Sequence, residues 1–112
     1  MNQAEREFLE ELRRDFVPEA EEYLQTIVSG LLALEKSPAS SSGVIEEVFR
    51  AAHSLKGAAQ AVQMPGVSSI CQVVESVFSG MKKGVLHLSE GDFDILQRAA
   101  DTLSAMIGAP EK

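Results

Sequence analysis

Residues 51–62 of this 112-residue chain read AAHSLKGAAQAV. Small apolar residues there surround a histidine, a lysine and a glycine. An imidazole with one nitrogen protonated and the other free is a nucleophile near neutral pH. Successive residues of a helix lie about 100° apart, so His53 shares a face with Phe49, Arg50, Lys56, Gly57 and Gln60. Lys56 is one turn on and within reach of an anion held at the ring. Gly57 stands directly one turn beyond His53, where glycine costs about 1 kcal/mol relative to alanine in a helix interior. What glycine offers in return is clearance, so that another protein's surface can approach the ring. Arg50 and Gln60 are on the same face for such a partner to meet, and Gln72, on the third helical segment, is expected to meet it too. The set suits a group that becomes an anion when it is attached to His53.

A carboxylate accepting from one ring nitrogen would fix the tautomer and leave the other nitrogen as nucleophile. Glu75 is the candidate. It falls between Cys71 and Phe78, at the edge of an apolar helical stripe, and shares a face with Gln72. If the two helices pack antiparallel, that edge lies beside His53. Spacing alone also allows a plainer reading, because a lone histidine on a helix is often a surface residue or a hydrogen-bonded core residue. Metal binding has less support: no second histidine or close acid shares the face, and His87 sits in a separate connection as an exposed loop residue. Ser54 beside His53 does not make a hydrolase, for there is no nucleophile elbow and no triad order. No P-loop or other ATP site is present.

The elements that must position these residues are helical. Four long segments repeat apolar residues at steps of three and four, and none alternates. The first runs from about residue 3 to Lys36, with a stripe of Leu9, Leu12, Phe16, Ala20, Tyr23, Ile27, Leu31 and Leu34. Pro18 interrupts it, giving either a short helix followed by a long one or a single kinked helix. A loop, SPASSSG, covers residues 37–43, and Ser41 or Ser42 can cap the next helix. The second helix spans about Val44 to Gln63, with Ile45, Val48, Phe49, Ala52, Leu55, Ala59 and Val62 inward, and MPG at residues 64–66 ends it. The third spans about Val67 to Lys83, with Val67, Ile70, Cys71, Val74, Val77, Phe78 and Met81 inward. Two lysines and Gly84 finish it. After the connection GVLHL, the fourth spans about Glu90 to Ile107, capped by Ser89 with Asp92 and lined by Phe93, Leu96, Ala100, Leu103 and Ile107. The fold expected is all-α, an antiparallel up-down four-helix bundle with an additional N-terminal helix or kinked extension. It occupies residues 1–108 as one domain, with 109–112 starting a linker or tail.

Composition bounds the function. Apolar residues make up 45% and aromatics 5%, so the core is mostly aliphatic. No apolar run is long enough to span a bilayer and the N-terminus has no signal-peptide character, which makes the cytoplasm the expected location. The single cysteine, Cys71, reads as a small core residue. A net charge of −7 argues against nucleic acid and against anionic membrane surfaces. The charge is uneven, however. Between residues 43 and 87, Glu46, Glu47 and Glu75 stand against Arg50, Lys56, Lys82 and Lys83, so the stretch that holds His53 is the one region that is not acidic.

FRAAHSLKGAA, residues 49–59, resembles the signature of histidine phosphotransfer domains. It is especially similar to the N-terminal phosphotransfer domain of chemotaxis-type (CheA-like) histidine kinases. The similarity continues through EAEEYLQTIVSGLLALEKSP before the motif and CQVVESVFSGMKKGVLHLSEGDFDIL after it, so it covers most of the chain. The resemblance implies that His53 is the phosphorylated residue, that Lys56 and Gly57 are the family's lysine and glycine, and that Glu75 is the glutamate bonded to the ring. Two positions depart from the common pattern. Ala58 stands where a second glycine is frequent, and Gln72 stands where chemotaxis kinases often have a second histidine. The resemblance implies a phosphorelay carrier. A histidine kinase ATPase domain passes the γ-phosphoryl of ATP to Nε2 of His53, which donates it to an aspartate of a response-regulator receiver domain. ATP and Mg²⁺ then belong to the partners, and this chain is a monomeric phosphocarrier, not a kinase by itself. The parent protein expected is a histidine protein kinase. The alternative function is a helical interaction module that keeps the bundle and relays no phosphate.

Overall fold

The computed structural model describes residues 1–37 and 42–108, and these form four α-helices and no strand. They are α1 (Gln3–Lys36), α2 (Ser42–Ala61), α3 (Pro65–Lys82) and α4 (Glu90–Gly108). Helix α1 packs on α2 and α4, and α3 packs on the same two. The pairs His53–Glu75, Lys56–Gln72 and Lys82–Glu46 run in opposite directions along α2 and α3, so those two are antiparallel. Gly30 of α1 meets Val48 of α2, while Arg13 of α1 bonds the far end of α2. Gly66, at the start of α3, meets Met106 near the end of α4, and Met81, near the end of α3, shares a pocket with Phe93 near the start of α4, so the up-down bundle is the fold that forms.

Pro18 does not divide α1, which is one helix of 34 residues. At about 1.5 Å per residue that is about 51 Å, and the molecule's longest dimension is 52 Å. Pro18 is exposed, while Phe16, Ala20 and Leu24 beside it are buried. Packing on both sides of the proline offsets the backbone bond it cannot make. Residues 3–12 form the expected extension, projecting past the α2–α3 turn that Arg13 reaches. Asn2 caps this end by exchanging hydrogen bonds with Glu5.

The apolar stripes enclose one core, with Val48, Ala52, Leu55, Ala59, Val67, Cys71, Phe78 and Leu103 wholly buried. The stripes are broader than expected, and some of their members sit at the edge of the core. Leu24, Gly30 and Ala51 are buried, whereas Leu9, Leu12, Tyr23, Phe49, Ile70, Val77 and Met81 are half-buried. Gly30 is there because α1 and α2 come close. A methyl group on it would stand 2.2 Å from Val48 Cγ2 and 3.4 Å from Val44 Cγ1. Gly30→Ala is expected to lose about 1–3 kcal/mol of stability through overpacking, although alanine is the better helix former. Urea denaturation measures this, and an unchanged or higher midpoint would contradict the close approach.

The turns depart from the expected boundaries. Helix α2 stops at Ala61, before the expected Gln63, and α3 begins at Pro65, earlier than Val67. Gln63 takes a left-handed φ of 58°. Its N–H donates to Gln60 O, and the Met64 N–H donates to Ala59 O, closing the helix as glycine usually does. Arg13 Nε and Nη2 then cap the freed carbonyls of Val62 and Gln63 at 3.0 and 2.9 Å. Gln63→Gly should raise stability by about 0.5–1 kcal/mol by relieving the left-handed strain. A lower melting temperature for that variant would contradict this account of the turn. Gly84 (φ 75°) closes α3 in the same way, as its sequence position suggested. Ser89 and Asp92 exchange the hydrogen bonds of the expected cap on α4, and those bonds hold the Asp92 carboxyl below its ordinary value. Ser42 is the first helical residue of α2 and not a residue before it. Ser41, most of the SPASSSG loop and the 109–112 tail lie outside the described residues.

Candidate functional site

Helix α2 offers His53 toward solvent, its side chain 64% exposed. From α3, Glu75 meets it with a side chain only 11% exposed. Glu75 is the one buried charged residue among the described residues. Oε2 of Glu75 pairs with His53 Nδ1, and Oε1 accepts from Lys56 Nζ at 2.5 Å. One carboxylate is thus shared between the two side chains. An ionised carboxylate can only accept, so Nδ1 carries the ring proton. Nε2 keeps its lone pair, on a side chain that is largely exposed. That is the arrangement a nucleophilic imidazole needs.

Burial would raise the Glu75 carboxyl. Hydrogen bonds from Lys56 and His53, together with their charges, outweigh it and hold the group below its ordinary value. Lys56 itself is largely enclosed, its side chain 18% exposed. Its ammonium lies on Glu75 and on Gln72 Oε1, 3.1 Å away. In the unmodified domain, then, Lys56 helps to hold Glu75 in its ionised form. Beneath the cluster, burial and the nearby Glu75 charge push the Cys71 thiol up to about 12, so it stays a neutral core residue, as expected.

Gly57 is exposed, and a methyl group added to it would meet nothing within 4 Å. Packing inside the bundle therefore does not require glycine here. Arg50 and Gln60 are exposed on the same helix, and neither has a hydrogen bond or ion pair to the cluster. Gln72 does join it, through Lys56. His87 is exposed and lines a different pocket, with Leu34, Ile45 and Phe93. Among the described residues, no three His, Cys, Asp or Glu side chains come together to hold a metal ion.

Two neighbours of the site were not foreseen. Ser76 accepts a hydrogen bond from Gln72 Nε2 at 3.0 Å, a contact that their i, i+4 spacing allowed. Lys82 Nζ sits 4.3 Å from the centroid of the Phe49 ring and 2.9 Å from Glu46 Oε1. Phe49, Gln72, Glu75, Ser76 and Ser79 line an open groove of about 370 Å³ along this face.

An exposed histidine oriented by a buried carboxylate on an antiparallel helical bundle is the build of a phosphotransfer domain. The sequence matches the Hpt domain family over residues 11–109, and the chain belongs to that family. Its relatives include chemotaxis proteins CheA. It is 35% identical over 98 residues to the chemotaxis protein CheA of Treponema pallidum, covering 88% of this chain and 12% of that protein. It is 33% identical over 92 residues to CheA of Bacillus subtilis, covering 82% of this chain and 14% of that protein. The chain thus spans a small part of these relatives' length. The solved CheA phosphotransferase domain from Thermotoga maritima superposes with a TM-score of 0.82 at 29% identity, covering 93% of this chain and 97% of that one. The family that FRAAHSLKGAA suggested and the helical bundle that the apolar stripes predicted are the ones found. No helix among the described residues is long and apolar enough to cross a membrane.

Proposed function

We propose that the chain is a phosphorelay phosphocarrier in which Nε2 of His53 accepts a phosphoryl group from a histidine kinase ATPase domain. It then donates that group to an aspartate of a response-regulator receiver domain. The observation that carries this reading is the shared carboxylate, which ties Nδ1 and leaves Nε2 free on an exposed ring.

The lone pair of Nε2 attacks the γ-phosphorus, and the bond to the ADP leaving oxygen breaks. Positive charge develops on the ring, and Glu75 stabilises it through the Nδ1–H. No proton has to move. In the second step the receiver's carboxylate attacks phosphorus and the neutral imidazole leaves, still protonated on Nδ1. Lys56 keeps Glu75 ionised throughout, and Gly57 leaves room for the partner's surface. ATP and Mg²⁺ belong to the partner domains. The wider reading is of a cytoplasmic, monomeric domain belonging to a histidine protein kinase of chemotaxis type.

The test is to incubate the domain with a chemotaxis-type kinase domain and Mg-ATP, then add a receiver domain. Acid-labile, base-stable phosphate should appear on the chain and then pass to the receiver. A chain that takes up none is a helical interaction module, and the phosphocarrier reading fails.

A further inference from the structure

We propose that Ser76 and Gln72 form an arm that holds Lys56 on Glu75, and so act as positioning residues for phosphoryl acceptance at His53. This rests on the phosphocarrier reading. What each group can donate sets the direction of the arm. The Lys56 ammonium has protons and no acceptor, so Gln72 must present Oε1 to it. The amide's other end, Nε2, then needs an acceptor, and Ser76 Oγ supplies it one turn along α3. Ser76 thereby sets which way the amide faces.

Lysine is a flexible four-carbon stem with a point charge. With Glu75 as its only partner, Lys56 would exchange between the carboxylate and solvent. The second anchor at 3.1 Å confines it to Glu75. There it keeps the carboxylate ionised, and the ionised carboxylate keeps the proton of His53 on Nδ1. The arm thus acts on the nucleophile through two intermediates without touching it. Gln72 and Ser76 are both exposed and take no part in the core, so their variants should fold. Both also border the groove beside the site, which makes a partner contact the competing explanation.

The two explanations separate in kinetics. Initial rates are measured against domain concentration with a chemotaxis-type kinase domain and Mg-ATP. Gln72→Ala and Ser76→Ala should each lower kcat about 2- to 10-fold with KM unchanged. The double variant should lose no more than the Gln72→Ala variant, because the two residues act as one unit. Ser76→Thr should restore the rate, and in a Lys56→Met background Gln72→Ala should have no effect. A second readout needs no kinase: the ring ¹⁵N spectrum of His53 should show a smaller Nδ1-protonated population in both alanine variants. A raised KM at unchanged kcat, multiplicative losses in the double variant, or unaltered ring spectra would overturn the arm. A parent domain that takes no label overturns the phosphocarrier reading instead, and the ring spectra still decide the arm.

Discussion

His53→Gln is expected to take up no acid-labile phosphate from a kinase domain and Mg-ATP, against full labelling of the parent. Glutamine is chosen because its amide can donate to Glu75 Oε2 as Nδ1–H does, so the buried carboxylate keeps its second partner. The amide nitrogen has no basic lone pair, so the nucleophile is lost and the cluster is not. The His53 side chain is 64% exposed and outside the core, so stability should stay within about 1 kcal/mol of the parent. Labelling undiminished in this variant would move the chemistry away from His53. His87 would then be the remaining histidine, and it stands in the α3–α4 connection with no carboxylate partner among the described residues.

The second large effect is at Glu75. Glu75→Ala should slow phosphoryl acceptance about 10- to 100-fold, the worth of a hydrogen bond to a charged group. Without the carboxylate the ring proton is free to sit on Nε2 and block it. The charge that develops on attack also loses its counterion. Lys56, largely enclosed, is left facing Gln72 alone, so the variant should lose about 1–3 kcal/mol of stability while remaining helical. The pH dependence comes from the direction of the carboxyl's shift. Its folded value lies below the ordinary 4.5, so its stabilising contribution is complete above that pH and is lost as pH falls through the folded value. The stability gap between the parent and Glu75→Gln should therefore close as the pH is lowered below 4.5. A gap that widened in acid, or unchanged acceptance kinetics in Glu75→Ala, would remove Glu75 from its role.

Much of this site was legible because it lies along helices. Three-and-four spacing put His53, Lys56 and Gly57 on one edge of α2 and Glu75 at the edge of the α3 stripe. Antiparallel packing then brought the edges together. What spacing could not supply was the outcome of competition between partners. Spacing along α2 placed Lys56 within reach of an anion at the ring, but its contact with Glu75 on α3 needed the packed structure. Ser76 was missed for a similar reason, since a serine on an exposed helix face has many possible partners until a neighbour's amide is fixed. Pro18 left two arrangements open because proline disfavours a helix interior locally, whereas burial of Phe16, Ala20 and Leu24 around it is a property of the whole bundle. Gln63 gave no sign of a helix stop, because the stop is made by backbone bonds and by Arg13, distant in sequence. For Gly57 the sequence suggested clearance, and the structure adds that a methyl group there would meet nothing within 4 Å, so packing in the bundle does not call for glycine.

Glu75 is proposed to hold one nitrogen of His53 so that the other can react. The most direct measurement is the ¹⁵N and ³¹P spectrum of the phosphorylated domain with labelled histidine. Phosphorus should be bonded to Nε2 of His53, with Nδ1 still protonated. Phosphorus on Nδ1, or on any other residue, would contradict it.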